Sequence, residues 1–228
     1  MKQNYFEPTW SSIKQHQTPN WFKRAKFGIY AHWGIYSVPA AGPNVTWYPY
    51  WMYRPPSPQF DYHCKHYGHP SKFGYKDFIP MFTAEKFNAE EWADLYYRSG
   101  AKFAGPVAEH HDGFPMWNCS DTEWCASKMG PKRDIVGELA KAIRNKGMKY
   151  MVAMHHAENW FFFPHWNNDF DTSKKEYESL YGELHNLDLI GNQAVYPDHW
   201  GRKNEHQDKP SKAFHDRLSL IHISEPTR

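Results

Sequence analysis

Apolar runs that each end in histidine, alternating with amphipathic helical patterns, constrain this chain more than any other feature. Phe27 to His32 reads as a buried strand closed by Gly34. Asn88 to Ser99 reads as a helix, with Asn88 as N-cap, Glu91 three residues on, and Gly100 just past its end. Trp92, Leu95 and Tyr96 are expected to form its apolar face. Phe103 to Ala108 is the next strand. A second helix follows, capped by Asp134, with an apolar stripe of Ile135, Leu139 and Ile143, Ala142 beside it and Gly147 closing it. Met148 to Met154 reads as a third strand. Strand, helix, strand, helix, strand at this spacing predicts an α/β fold, a parallel sheet with crossover helices.

The strands end in His32-Trp33, His110-His111 and His155-His156. In a (β/α)8 barrel the C-terminal ends of the strands carry the chemistry. Three such endings in register therefore point to an active site over a set of merely structural histidines. The second ending sits in Glu109-His110-His111-Asp112-Gly113-Phe114. Neighbouring strand residues face opposite ways, so both imidazoles reach one pocket only where the strand is already ending. Asp112-Gly113 supplies the turn signal at that point. The expected architecture is a (β/α)8-like TIM barrel, incomplete in this chain: such barrels take about 250 residues and eight strands, and only three strands are recognisable.

Composition narrows the function. Net charge is +2, which sets up no strong field for nucleic acid or an anionic membrane. No window reaches the length of a membrane span, and the N-terminus lacks the apolar core of a signal peptide. Cys64, Cys119 and Cys125 give neither metal spacing nor an even disulfide framework. Aromatic residues make up 18% of the chain, with 11 Trp, although mean hydropathy is only -0.85. That surplus suits a surface for sugars, whose C–H faces stack on rings while their hydroxyls need directional partners; an aromatic core is the other reading. Pro39 to Pro80 is expected to be a long ordered insertion without either period. From Trp160 to Lys209 the sequence reads as loop-like and charged, a stretch long enough to count against a complete assignment of elements.

Several segments resemble family 29 of the glycoside hydrolases, the retaining α-L-fucosidases. They are Trp21-Phe22 with Ala25 to Ala40 (containing His32-Trp33-Gly34), Trp47-Tyr48, Phe82 to Phe87, Glu91-Trp92-Ala93, His110 to Phe114, and Lys132-Arg133-Asp134. The resemblance covers about residues 5 to 216. It implies a (β/α)8-like catalytic domain and removal of α-L-fucose from a fucosylated glycan or oligosaccharide, with no cofactor and no metal. It also implies a pocket in which His32, His110 and His111 hydrogen-bond the sugar, Trp47 forms a wall, and His155 stands where the family often has tyrosine. No nucleic-acid or membrane partner is implied, and family members are often periplasmic, secreted or lysosomal.

The chain departs from the family at Thr46, where many members carry Glu, and at Glu109, where many carry Lys. The Trp-Phe-Asp-like motif that carries the nucleophile is also missing. Tyr196 to Trp200 is superficially similar to it, but Gly201-Arg202 follows, so Asp198 is not assigned. No catalytic residue is therefore expected in this chain; nucleophile and acid/base are expected after Arg217. Leu218 to Arg228 resembles a translated sequencing adapter. The expected organisation is residues 1–217 as the N-terminal part of the catalytic domain and 218–228 as an artefactual tail.

Retaining glycosidases need two carboxyl groups about 5–5.5 Å apart. Asp112, Asp134 and Glu158 are the nearest acids, and they form no convincing pair. Asp112 is expected to orient the histidine pair, Asp134 to cap a helix, and Glu158 to be a solvated loop acid. Two alternatives stand beside the fucosidase reading. One is a metal-dependent barrel hydrolase using His32, His110, His111, His155 and His156; the other is a non-catalytic sugar-binding remnant. Against the metal stands the absence of His-x-His or His-x-x-x-His spacing.

Overall fold

The structure, a computed structural model, describes residues 6–7, 9–165, 167–184 and 210–223. Its centre is a parallel sheet of β1 (Gly28–Ala31), β2 (Phe103–Glu109), β3 (Lys149–Tyr150) and β4 (Ala153–Met154). Gly28 of β1 pairs with Phe103 of β2 and Ala31 with Pro106; on the other side of β2, Phe103 pairs with Lys149 and Val107 with Ala153. This is an α/β arrangement with helices between parallel strands, as the alternation predicts.

The third expected strand, Met148 to Met154, is in fact the two short pieces β3 and β4. The break has a steric cause. Met151 donates its N–H to Ala104 O, and its carbonyl then lies against the α-carbon of Gly105. A Cβ on Gly105 would sit 1.6 Å from that oxygen, so only glycine fits. Farther along, the register shifts between Val107 and Glu109 of β2, a bulge at the end of the strand that carries the histidine pair.

The two crossover helices form where their caps and stripes demand. Asn88 Oδ1 accepts from the N–H groups of Glu90 and Glu91 at the start of Ala89–Arg98. Asp134 Oδ1 accepts from Gly137 N–H at 2.8 Å at the start of Ile135–Asn145. Ile135, Leu139, Ala142 and Ile143 are all buried, as expected. The face of the first helix is the expected one at Trp92 and Tyr96, which pack into the core, but not at Leu95. Ala89, Ala93 and Tyr96 are buried, whereas Leu95 is 57% exposed. Small alanines on the inner side let the two helices pack closely, and that rotates Leu95 out to solvent.

The insertion from Pro39 to Pro80 is ordered, and it contains a helix that no apolar period announces, Pro58–His66. Its buried residues are Gln59 and His63. His63 accepts from Tyr48 Oη at 2.9 Å and donates to Phe73 O at 2.8 Å, so its polar ring is satisfied in the core. The stretch after Trp160 is also built rather than loose in its described part. Short helical turns over Asn159–Phe162, Asp171–Ser173, Lys175–Tyr177 and Glu178–Tyr181 bury Phe162, Phe163, Phe170, Leu180 and Tyr181. Tyr196 to Trp200 lies outside the described residues.

The helix Lys212–Ile223 crosses the expected boundary at residue 217 without interruption. Arg217 pairs with Asp121 at 3.0 Å, and Ile221 is buried. No described helix is long and apolar enough to cross a membrane.

Candidate active site

The five residues singled out for sugar contact meet at one end of the sheet. His32 follows β1, His110 and His111 follow β2, and His155 follows β4. Ring centroids lie 5.5 Å apart for His32–His110, 5.2 Å for His32–His155, 5.1 Å for His110–His155 and 4.3 Å for His110–His111. Trp47, delivered by a short helical turn of the insertion (Val45–Trp47), stands edge-on to His111 at 5.1 Å.

Strand alternation decides which histidines share the site. Glu109 and His110 leave β2 on opposite faces. His110 turns towards His32 and His155, while Glu109, fully buried, hydrogen-bonds His156 Nδ1 on the other side. His156 also stacks on Phe214 at 5.2 Å. It therefore leaves the strand-end cluster in which the metal-hydrolase reading had placed it.

His111 joins His110 because the strand ends there. Gly113 turns the chain at φ +75°, and a Cβ at that position would lie 2.3 Å from Leu180 O. Asn159 Nδ2 donates to His111 O at 2.9 Å, and His111 Nδ1 donates to His155 O at 2.8 Å. With its proton on Nδ1, a neutral His111 ring carries its lone pair on Nε2.

Asp112 does not orient the histidine pair as expected. Its carboxylate accepts from Tyr75 Oη at 2.7 Å and from Phe114 N–H at 3.3 Å. Burial raises its pKa to about 7, against the lowering effect of those two hydrogen bonds. Tyr75 continues the network: its N–H donates to Tyr53 Oη, and Tyr53 and Tyr181 both donate to the buried Asp171. Burial pushes Asp171 upward too. The carboxyl groups thus tie the histidine turn to the aromatic segments around it.

The electrostatics of the cluster favour neutral imidazoles. Partial desolvation lowers the pKa of His32 and His155, and burial drives His110 far below the ordinary histidine range, helped by His111, His155 and His32 around it. His32 is exposed, His155 half-buried and His110 buried. Among the described residues, Nδ1 of His110 and Nδ1 of His155 have no hydrogen-bond partner. A neutral imidazole offers one N–H and one lone pair, which matches the donor-and-acceptor demand of a hydroxyl group.

Of the expected acids, Glu158 is exposed and Asp134 caps its helix, so no carboxylate pair stands at the cluster among the described residues. Sequence reasoning did not single out Tyr36 and Phe162. Tyr36 packs on His110 at 5.0 Å and Phe162 on His111 at 5.4 Å. Tyr36 lay inside a recognised motif, but Phe162 had no periodic signal.

A profile of the family described as alpha-L-fucosidase matches residues 1–224. The chain is 46% identical to human plasma alpha-L-fucosidase over 142 residues, which is 62% of this chain and 30% of that protein. It is also similar to the Thermotoga maritima alpha-fucosidase crystallised in complex with fucose: TM-score 0.62 and 43% identity, covering 66% of this chain and 37% of the other. The same bacterial protein in complex with a mechanism-based inhibitor matches 96% of this chain and 48% of its own, with TM-score 0.66 and 32% identity. The chain thus spans less than half the length of these relatives.

Proposed function

Because this chain belongs to the alpha-L-fucosidase family, we propose that it forms the fucose-recognising part of a retaining α-L-fucosidase acting on fucosylated glycans or oligosaccharides. The observation that carries the reading is the convergence of His32, Trp47, His110, His111 and His155 at one sheet edge. Neutral histidines exchange hydrogen bonds with the ring hydroxyls, and the indole of Trp47 covers the apolar side of a deoxy sugar. The Thermotoga relative was solved with fucose bound, which supports this choice of ligand.

In this reading β1, β2 and the β3–β4 strand are the first three strands of a (β/α)8-like barrel. Residues 1–217 form the N-terminal part of the catalytic domain. Binding and orienting the sugar is the work of the histidines. Cleavage needs two carboxyl groups about 5–5.5 Å apart, and the acids nearest the cluster are committed elsewhere: Asp112 to Tyr75, Glu109 to His156. The nucleophile and acid/base belong to later strands of the parent enzyme, after Arg217.

Calorimetric titration of the chain with L-fucose tests the reading. Binding that is lost in His110→Ala supports it; no binding, or binding indifferent to His110, overturns it. The full-length parent is expected to release an aryl α-L-fucoside while residues 1–228 do not. Comparable turnover by both would place the cleaving carboxylates within this chain.

A further inference from the structure

Three histidines that are far apart in sequence bring one ring nitrogen each to within 4.8 Å of one another: His32, His110 and His155. We infer that these imidazoles form a binding site for a borderline divalent transition cation such as Zn²⁺, which would compete with the sugar for the same pocket. Only the competition rests on the fucose reading; the cation site itself stands on the three imidazoles.

The donor set suits the ion. Imidazole is a preferred ligand of Zn²⁺, Cu²⁺ and Ni²⁺, and three protein ligands with an open fourth position is a recurrent zinc arrangement. Buried His110 also carries a ring nitrogen with no partner among the described residues. A core histidine present only for packing would have both nitrogens satisfied, as His63 does.

The geometry needs a modest closure. Tetrahedral zinc with Zn–N bonds of about 2.0–2.1 Å sets the nitrogens about 3.4 Å apart. His110 is held by Tyr36 and His111. The exposed His32 and half-buried His155 are the rings with room to rotate inward. Since His32 lies at the solvent edge, it gives the ion a way in and leaves the outer coordination position to water. The spacing in sequence hides such a site, because each strand supplies a single ligand.

The test uses the 228-residue chain with Zn²⁺ in calorimetry and Co²⁺ as a visible probe of coordination. One equivalent of Zn²⁺ is expected, weakened more than about tenfold by His32→Ala and by His155→Ala, while exposed His16→Ala leaves it unchanged. Because His32 is exposed, its removal does not threaten folding. Absence of stoichiometric Zn²⁺, or equal affinity in the His32 and His16 variants, overturns the site. L-Fucose is expected to displace Co²⁺ and abolish its absorption bands. If Co²⁺ binding depends on His32 but ignores L-fucose, the cation site holds and the fucose reading falls. If L-fucose binding depends on His32 and no Zn²⁺ binds, the cation site falls and the fucose reading holds.

Discussion

The two halves of this molecule are held together by different physics. From Ala89 to Met154, helices pack through periodic apolar stripes onto parallel strands. From Trp33 to Met81 and from Asn159 to Tyr181, order comes instead from interlocked rings and buried hydrogen bonds. Phe73 sits between Tyr67 and Phe78 at 5.4 and 5.0 Å, and Tyr53, Tyr75 and Tyr181 link Asp112 to Asp171. The candidate site lies at the seam. Its histidines sit at the ends of the parallel strands, while Trp47 and Phe162 come from the aromatic half. A scaffold of regular elements sets the positions, and an irregular aromatic wall shapes the space in front of them.

Truncating one core residue in each half gives the largest test. Phe163 is fully buried and packs on Phe162 and Tyr181 at 5.2 and 4.6 Å. Phe163→Ala is expected to lose about 3–5 kcal/mol in denaturant unfolding. Leu139→Ala, in the helical stripe, is expected to lose about 2–5 kcal/mol. A negligible loss at Phe163 beside a large one at Leu139 would show that the aromatic half is not a packed core.

A second test separates the halves by pH. Asp112 titrates at about 7 in the fold and near 3.9 in an unfolded chain. Between those values the folded state holds the extra proton, so stability falls as pH rises, by up to about 1.4 kcal/mol per unit. Above pH 7 this contribution is constant. Asp112→Asn keeps an acceptor for Phe114 N–H and is expected to flatten the slope between pH 4 and 7, measured by urea unfolding. Parallel slopes in the two proteins would remove Asp112 as the proton-holding group. The smallest expected effect belongs to the periodic half. Asn88→Ala deletes a helix cap and is expected to cost about 1 kcal/mol, read as a shift in the urea midpoint.

The same division explains what the sequence made legible. Ile135, Leu139 and Ile143 recur at helical spacing, so the helix and its buried side could be read directly. His32, His110 and His155 could be read as strand ends because each closes an apolar run. The helix Pro58–His66 could not, since its buried residues are Gln59 and His63 and a polar inner face leaves no period. Phe162 and Tyr75 gave no signal either, because their places depend on partners more than thirty residues away. Leu95 misled for the opposite reason: it fits an apolar stripe, but the close approach allowed by Ala89 and Ala93 set the helix rotation. For Asp112, sequence proximity suggested the histidines as partners, and Tyr75 from the insertion took the carboxylate instead.

The separation of His155 from His156 has a consequence for how variation at these positions will read. His155 faces the open cluster, while His156 is sealed between Glu109 and Phe214. In a saturation scan, His155 should accept many replacements that leave protein abundance intact while ligand recognition fails. His156 should show the reverse profile, with abundance falling first. Two identical neighbours in the sequence would then answer to two separate demands, and a tolerated exchange at one would say nothing about the other.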